Sequence, residues 1–469
     1  MIAGDAPRVL PNLPSPPPAG SSQVLRPKRR SMAASLLWLL LDRGFKTGGA
    51  AVVSILLARY LGPADFGRLG VALGLAAFGK DCVGLGLDRI IQRELTRRPE
   101  HPGRIVGTYF SLGVAVAVLV ALALTLLALT SIDDPQTRRM TLLLAWMAVP
   151  QAISGAELWF LCQFNPRPVV LARNALWFAF FFLRLGLMIG GAGVVWFAWV
   201  ALLDWASIYV VIWLLYRRHR PAGDHLTFNR GAGAAWLREG WPIIVAVAVT
   251  MAAERLLGLW VQALSGPAAA GHYSLAIRCA EPWWNVTGIV AAAFLPKLTL
   301  LRAESRERFL RGFQRYLDVS MAVTVVVGLV ALLFAPMLAP LLFGESFHGV
   351  VGPLVWLFWA APALFSGYAR LQYLTVEGRL VLEIPVAITN AVLLLAFSAW
   401  WIPQYGANGA AAALAISTWL AVFLAPWLQP AAHEATRAQW QALAFPRRLP
   451  DVVRYLAVGA QRAWQGAFK

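Results

Sequence analysis

The chain contains a long succession of apolar stretches, each long enough to cross a lipid bilayer, and several of them carry charged residues near their middle. A membrane-spanning helix needs roughly 20 predominantly apolar residues, and irregular backbone cannot face lipid. Hydrophobic residues make up 59% of the 469 residues and charged residues 14%. A soluble domain cannot bury that much apolar surface, so the pattern predicts an all-α protein that crosses the membrane many times.

The loops between these stretches alternate between two kinds. One kind is rich in arginine and lysine, and the other is nearly free of both. Because basic loops remain in the cytoplasm, the alternation supports a count of about twelve spans and predicts that both termini are cytoplasmic. The predicted spans cover roughly residues 34–58, 67–90, 104–130, 139–163, 169–190, 193–216, 237–264, 268–296, 315–340, 350–374, 379–402 and 407–429.

The formal net charge of the chain is +18, which in a soluble protein would suggest a nucleic-acid partner. Here the excess lies in loops on one side of the membrane, so we expect membrane lipids and no nucleic acid as partners. The three cysteines, Cys82, Cys162 and Cys279, lie inside predicted spans. They are too few and too scattered for a disulfide framework or a zinc site, and we expect neither a metal nor a cofactor.

A short sequence repeat supports a division of the spans into two halves of equal size. LGPADFGRLGVAL, beginning at Leu61, and SGPAAAGHYSLAI, beginning at Ser265, share glycine and proline positions at a constant offset. Each copy joins the first two spans of its half. A repeated unit of this kind predicts a transporter with its substrate site between the halves. The expected regions are roughly a disordered cytoplasmic tail 1–33, an N-lobe 34–217, a cytoplasmic linker 218–236, a C-lobe 237–429 and an amphipathic cytoplasmic tail 430–469.

The end of the chain carries a second amphipathic pattern. From Asp451 onward, polar residues share one side of a helix and apolar residues lie towards the other. The pattern predicts a basic helix on the anionic cytoplasmic surface, and an unstructured tail is the alternative.

Four segments, spread over most of the chain, resemble a known family. They are ARYLGPADFGRLG (58–70), GLDRIIQREL (86–95), ELWFLCQF (157–164) and YGANGAAAALAIS (405–417). They are similar to the polysaccharide-export branch of the MOP flippase superfamily, the Wzx-type oligosaccharide flippases. The resemblance implies a V-shaped, MATE-like pair of six-helix lobes around a central cavity.

The resemblance also implies a function in the bacterial inner membrane. Such proteins move an oligosaccharide linked to undecaprenyl diphosphate from the cytoplasmic to the periplasmic leaflet. The implied partners are this lipid-linked substrate, a polysaccharide polymerase and glycosyltransferases, and a monomer is expected. Many relatives have an Arg-x-Asp near the middle of span 7, where this chain has Arg255-Leu256-Leu257. Either Glu254 substitutes for that acid, or the coupling differs.

Charged residues inside the spans are the first candidates for a site, because burying a charge in hydrocarbon is costly. A diphosphate is best held by arginine or lysine at reduced dielectric. Arg173 and Arg184 are eleven residues apart, which returns to nearly the same helical face. The predicted diphosphate subsite comprises Arg43, Lys46, Lys80, Arg173 and Arg184.

Other residues in the spans suggest ion pairs instead. For the first spans, the alternative is that Lys46–Asp81 and Arg43–Asp42 are structural pairs. In the C-lobe, Glu254–Arg278 and Arg255–Glu281 have complementary charges at matching depth. We predict that these two pairs close the periplasmic side of the cavity and break on opening; a permanent link between the two helices is the alternative.

Two acids and two tryptophans complete the predicted site. Glu157 and Asp204 are isolated in their spans, as a protonatable coupling group would be, although a hydrogen bond to a neighbouring helix is the alternative. Trp283 and Trp284 follow a Glu-Pro kink and are predicted to stack on sugar.

Two other functions compete with the flippase. A MATE-like drug antiporter would need net acidic residues in its cavity, and this chain offers net basic ones. A membrane glycosyltransferase or polymerase needs a sizeable extracytoplasmic loop, and the longest outer loop here is short. The sequence also has no phosphate-binding glycine loop with its lysine and no HExxH motif, so we do not expect an enzyme.

Overall fold

All regular secondary structure in the described part of the chain is helical. The computed structural model describes residues 29–84, 87–97, 102–163, 167–221, 224–448 and 450. Nine helical segments within these ranges are long and apolar enough to cross a membrane. The prediction of an all-α, multi-pass membrane protein is confirmed.

Two unusually long helices, α1 (Arg29–Gly84) and α9 (Arg230–Glu304), each contain two of the predicted spans. Each is interrupted at a glycine with positive φ, at Gly62 (φ 70°) and at Gly266 (φ 85°). Glycine adopts this backbone conformation without the steric penalty of a side chain, and the proline that follows has no N–H to continue the helical hydrogen bonds. The short sequence repeat is therefore a repeat of structure.

The remaining helices of the N-lobe follow the predicted spans, with two exceptions: a short separate helix at 88–97 that was not predicted, and the span 139–163. In chain order these helices are α2 (Asp88–Arg97), α3 (Pro102–Ser131), α4 (Pro135–Leu144), α5 (Ala148–Gln151), α6 (Ser154–Cys162), α7 (Arg167–Ile189) and α8 (Val194–His219). The predicted span 139–163 comprises three short helices and begins four residues early. Asp134 causes the early start, because its Oδ2 accepts a hydrogen bond from the Thr137 N–H at 2.8 Å and so caps the helix.

The C-lobe consists of α9, α10 (Arg306–Phe343), α11 (Val351–Val376), α12 (Glu383–Tyr405) and α13 (Ala407–Phe423). Helix α9 begins inside the segment predicted as a linker. Asn229 caps it, since its side-chain oxygen accepts a hydrogen bond from the Ala232 N–H at 3.0 Å.

A further helix, α14 (His433–Leu443), follows the last span and packs on the C-lobe. Gln439 is buried and its Nε2 donates to Ser366 Oγ at 3.0 Å. Glu434 accepts a hydrogen bond from Arg306 at 2.6 Å, and this bond lowers the pKa of its carboxyl. The tail predicted from residue 430 thus begins as a docked helix, whereas the basic helix predicted from residue 451 lies outside the described residues.

One buried ion pair holds three helices of the C-lobe together. Arg370 on α11 is 1% exposed. Its guanidinium makes two hydrogen bonds to the Glu383 carboxylate, at 2.9 and 2.7 Å, and a third to the Val422 carbonyl at 3.3 Å. Bidentate pairing satisfies the charge of the buried guanidinium, while the Glu383 side chain stays 24% exposed.

Replacing Arg370 by methionine is expected to destabilise the C-lobe by about 1–3 kcal/mol, because the partly exposed Glu383 carboxylate is left without the guanidinium that binds it. The double variant Arg370→Met/Glu383→Leu should recover most of that loss. Thermal unfolding of the purified protein in detergent measures both effects, with Arg379→Met, at an exposed position, as the control. Equal stability of the single variant and the control would contradict the assigned role.

Candidate substrate cavity between the lobes

A cavity of about 600 Å³ lies between the two lobes. The glycine turns divide α1 and α9 into two arms each, before and after Gly62 and Gly266. One wall of the cavity comes from the second arm of α1, between Gly70 and Asp81. The opposite walls come from both arms of α9, with Leu364 and Tyr368 of α11 and Thr418 of α13. The cavity therefore lies between the repeated halves, where the repeat predicted a site.

The charges on the cavity wall balance. Three cations line it, and three acids face the same space. The cations are Lys80, Arg255 and Arg278, and the acids are Asp81, Glu254 and Glu281. The net basic lining predicted from the sequence is thus not found among the described lining residues, because the acids of α1 and α9 share the cavity with the cations.

The predicted ion pair between Arg255 and Glu281 is present, with Nη1 3.0 Å from Oε1. Arg255 also has an acidic neighbour on the other lobe, since its Nη2 lies 4.0 Å from Asp81 Oδ2. The position of Arg255 between these two carboxylates connects α1 with the hairpin formed by α9.

The second predicted pair, Glu254 with Arg278, does not form between these two described residues. Successive residues point about 100° apart around a helix. Because Arg255 points towards Glu281 on the second arm of α9, the adjacent Glu254 points in a different direction. The Arg278 guanidinium instead lies 5.5 Å from the centre of the Phe66 ring on α1, where the ring face attracts a cation.

Lys80 is the only described member of the predicted diphosphate subsite that lines the cavity. Its ammonium lies 3.4 Å from the centre of the Trp205 ring on α8, a cation–π contact that fixes its position without neutralising its charge. The side chains of Asp42, Arg43 and Lys46 lie outside the described residues, so their predicted roles remain predictions.

The predicted diphosphate subsite needs a correction at Arg173 and Arg184, which form ion pairs outside the cavity. Arg173 Nη2 lies 2.5 Å from Glu157 Oε1, and Arg184 Nη2 lies 2.6 Å from Asp204 Oδ2. None of these four residues lines the cavity. The two acids are therefore not isolated, and the two cations are held by them, because a charge buried in a membrane helix is stabilised by an opposite charge.

A double variant tests whether the Arg184–Asp204 pair is structural. Arg184→Met/Asp204→Leu removes both charges and should leave transport within about twofold of the wild type, since replacing a whole buried pair is often neutral. Arg184→Met alone should lower the thermal stability by about 3 kcal/mol or more. If the double variant folds normally but loses transport, Arg184 takes part in substrate binding and the pair is not merely structural.

The two predicted sugar-stacking tryptophans separate in the structure. Trp284 lines the cavity, and its Nε1 donates to the Leu357 carbonyl at 3.2 Å. The Trp283 ring packs against Phe365, with ring centres 5.4 Å apart, and does not line the cavity. Several uncharged polar lining residues gave no sequence signal, since nothing in their spacing distinguishes them from helix packing: Tyr273, Ser274, Asn285, Tyr368 and Thr418.

The lobes touch directly beside the two glycine turns. A Cβ atom on Gly67 would lie 2.0 Å from the Pro267 carbonyl oxygen, and one on Gly271 would lie 1.9 Å from that of Pro63. The contact is reciprocal, so the same positions of the two repeats meet each other. Only glycine permits backbones to approach this closely.

Polar contacts across the lobes surround this glycine contact. Arg59 Nε donates to the Leu342 carbonyl at 2.7 Å, and Gln262 Nε2 donates to Thr137 Oγ1 at 2.7 Å in a buried position. The lobes are therefore closed at the face that carries the Gly62 and Gly266 turns, which we call the glycine-turn face. The cavity lies deeper in the molecule than this closure.

Two repeated helical lobes with a substrate site between them are a common architecture of membrane transporters. A family model described as "Polysaccharide biosynthesis protein" matches residues 56–352. The match covers more than half of the chain, and the chain belongs to this family.

Solved structures with the same fold span nearly the whole chain. The structure of "Lipid II flippase MurJ, inward closed conformation" has a TM-score of 0.61 and 11% identity, and covers 92% of this chain and 100% of that one. The MATE multidrug transporter DinF-BH gives a TM-score of 0.58 and 12% identity, over 87% of this chain and 96% of that one. An inward-facing multidrug resistance MATE transporter gives 0.53 and 15%, over 88% and 96%. A comparison with curated protein sequences gives no match.

Proposed function

We propose that the protein moves an oligosaccharide linked to undecaprenyl diphosphate from the cytoplasmic to the periplasmic leaflet. The observation that carries the proposal is a cavity between the repeated lobes with three cations on its wall. Membership of the polysaccharide biosynthesis family supports a glycan as cargo. The fold shared with a lipid II flippase supports a cargo anchored in lipid.

The diphosphate binds to Arg278 and Lys80 in this proposal. Both face the cavity, and aromatic rings rather than carboxylates lie against them. Each therefore keeps positive charge available for phosphate oxygens in a region of reduced dielectric. Trp284 lies on the same wall, where its ring face can stack on a sugar, while the isoprenoid tail remains in lipid.

Arg255 has a different role, as a switch between the lobes. It is held by Glu281 on its own lobe and lies near Asp81 on the other. A diphosphate that draws Arg255 towards itself weakens its attraction to Asp81 and so reduces the electrostatic link between the lobes. Binding energy then favours separation at the glycine-turn face, which lies on the periplasmic side in the orientation predicted from the basic loops.

A second candidate is an ion-coupled antiporter of small cationic molecules. Three carboxylates on the cavity wall favour it, because carboxylates attract cations and can exchange protons. Two of the structures with this fold are multidrug transporters.

Reconstituted vesicles distinguish the two functions. The protein is expected to transfer a fluorescent glycan linked to undecaprenyl diphosphate across the bilayer, and not to accumulate a fluorescent cationic dye against a proton or sodium gradient. Glu254→Gln serves as a matched variant, since it removes a cavity acid and should abolish dye transport in the antiporter. Dye uptake without glycan transfer would replace the first proposal with the second.

A further inference from the structure

A second, smaller pocket lies in the C-lobe, away from the central cavity. It occupies about 240 Å³ between the end of α9 and the beginning of α10. One wall is apolar and the other carries four cations, with no carboxylate among the described lining residues. The lining residues are Phe294, Lys297, Leu298, Leu301, Arg308, Arg311, Gly312 and Arg315.

The position of the pocket suits the headgroup region of a bilayer. The cations lie on the last turns of α9 and the first turns of α10, and the apolar part of α10 follows Arg315. Polar headgroups meet a membrane protein at the ends of its spans. The pocket thus presents cations at headgroup level beside an apolar wall that continues towards the hydrocarbon.

Two arginines of the pocket are available to an anion in a way that their neighbours are not. Arg302 and Arg306 bind Glu377 and Glu434 of other helices, at 2.7 and 2.6 Å. Arg308 and Arg311 pair with acids four residues away, Glu304 at 2.7 Å and Glu307 at 3.5 Å, and all four of these side chains are more than half exposed. Such exposed pairs are worth little, so a phosphate can replace them.

Gly312 supports a built pocket rather than a charged surface. A Cβ atom at this position would lie 2.5 Å from Leu301 Cδ1, so glycine allows Leu301 to pack directly against α10 as the apolar wall of the pocket. The volume is below the roughly 300 Å³ of a drug-sized pocket. It suits a single headgroup and is too small for an oligosaccharide with its diphosphate.

We propose that this pocket binds the phosphate of an anionic membrane phospholipid. The phosphate lies among Lys297, Arg308, Arg311 and Arg315, and an acyl chain follows the wall formed by Phe294, Leu298 and Leu301. Basic pockets between membrane helices bind anionic headgroups in this manner. The bound lipid links α9 to α10 beside Ser305, the single residue that separates the two helices.

Native mass spectrometry of the purified protein tests the proposal with phosphatidylglycerol and phosphatidylcholine as probes. The wild type should retain phosphatidylglycerol preferentially, and Arg308→Gln/Arg311→Gln should reduce this affinity about tenfold. The matched control is Arg217→Gln/Arg218→Gln, which removes the same charge at exposed positions at the end of α8. The control should change the affinity less than twofold.

A variant of unchanged charge separates a pocket from a charged surface. A leucine side chain at Gly312 would collide with Leu301 and push apolar atoms into the pocket, so Gly312→Leu should reduce phosphatidylglycerol binding as strongly as the double arginine variant. Equal binding of the two lipids by the wild type, equal losses in the arginine variant and its control, or full binding by folded Gly312→Leu would each overturn the proposal. If Gly312→Leu does not fold, the arginine variant and its control decide. Glycan transfer is not part of the readout, so the result stands apart from the proposed function.

Discussion

Valine at Gly67 or Gly271 is expected to abolish transport. A Cβ atom at either position would lie about 2 Å from a proline carbonyl oxygen of the opposite repeat, and neither backbone can move away without displacing its helix. Crowding a packed contact costs about 1–3 kcal/mol, and more when the obstacle is backbone. We therefore expect the closed state at the glycine-turn face to lose at least about a hundredfold in population.

The two variants need a readout that is independent of transport. Ser274→Cys is a suitable reporter, because Ser274 contacts Gly70 of the opposite lobe. This cysteine should react slowly with a membrane-impermeant maleimide when Gly67 is present, and rapidly when Ser274→Cys is combined with Gly67→Val. The background replaces Cys82, Cys162 and Cys279. Gly186→Val is the control, since a Cβ at Gly186 meets nothing within 4 Å. Normal transport and unchanged labelling of Gly67→Val would show that the contact is not a gate.

Neutralising Arg278 is expected to have the second largest effect. Arg278→Gln should reduce glycan transfer about tenfold to a hundredfold, since charge-assisted hydrogen bonds to phosphate are among the strongest available, and Lys80→Gln should act in the same direction. Folding should be unaffected, because neither cation is required to balance a carboxylate at ion-pair distance. Transfer rates in vesicles and the amount of inserted protein measure both expectations.

The control for Arg278→Gln is the charge-free variant of the pair Arg184–Asp204. It also removes an arginine from a membrane helix, but outside the cavity. If both variants lose transfer equally, cavity position does not matter and the binding site is wrongly assigned. If Arg278→Gln alone transports normally, the diphosphate is held elsewhere.

The helices and the repeat were accessible from the sequence because both are local. Apolar length determines a span, and the glycines of the repeat, Gly62 with Gly67 and Gly266 with Gly271, are visible as letters at a constant offset. Their close approach was not predictable, since it depends on how two distant segments pack. The broken span after Asp134 was also missed, because its three short helices are as apolar as a continuous one.

The candidate site was predicted less well than the fold, for a related reason. Charges inside spans were recognised correctly as unusual, and Arg255–Glu281 was paired correctly, whereas Glu254–Arg278 on the same hairpin was not. Arg173–Glu157 and Arg184–Asp204 join different helices. Depth in the membrane is readable from sequence, but the rotation of a helix towards its neighbours is not, and that rotation decides which charges pair and which face the cavity.

Transfer of a fluorescent undecaprenyl-diphosphate glycan across vesicles that contain only the purified protein is the most direct test. We expect the wild type to move the glycan to the opposite leaflet, and vesicles with Arg278→Gln to do so at least about tenfold more slowly. An absence of transfer by correctly inserted wild-type protein, or equal transfer by Arg278→Gln, would contradict a flippase whose cavity cations hold the diphosphate.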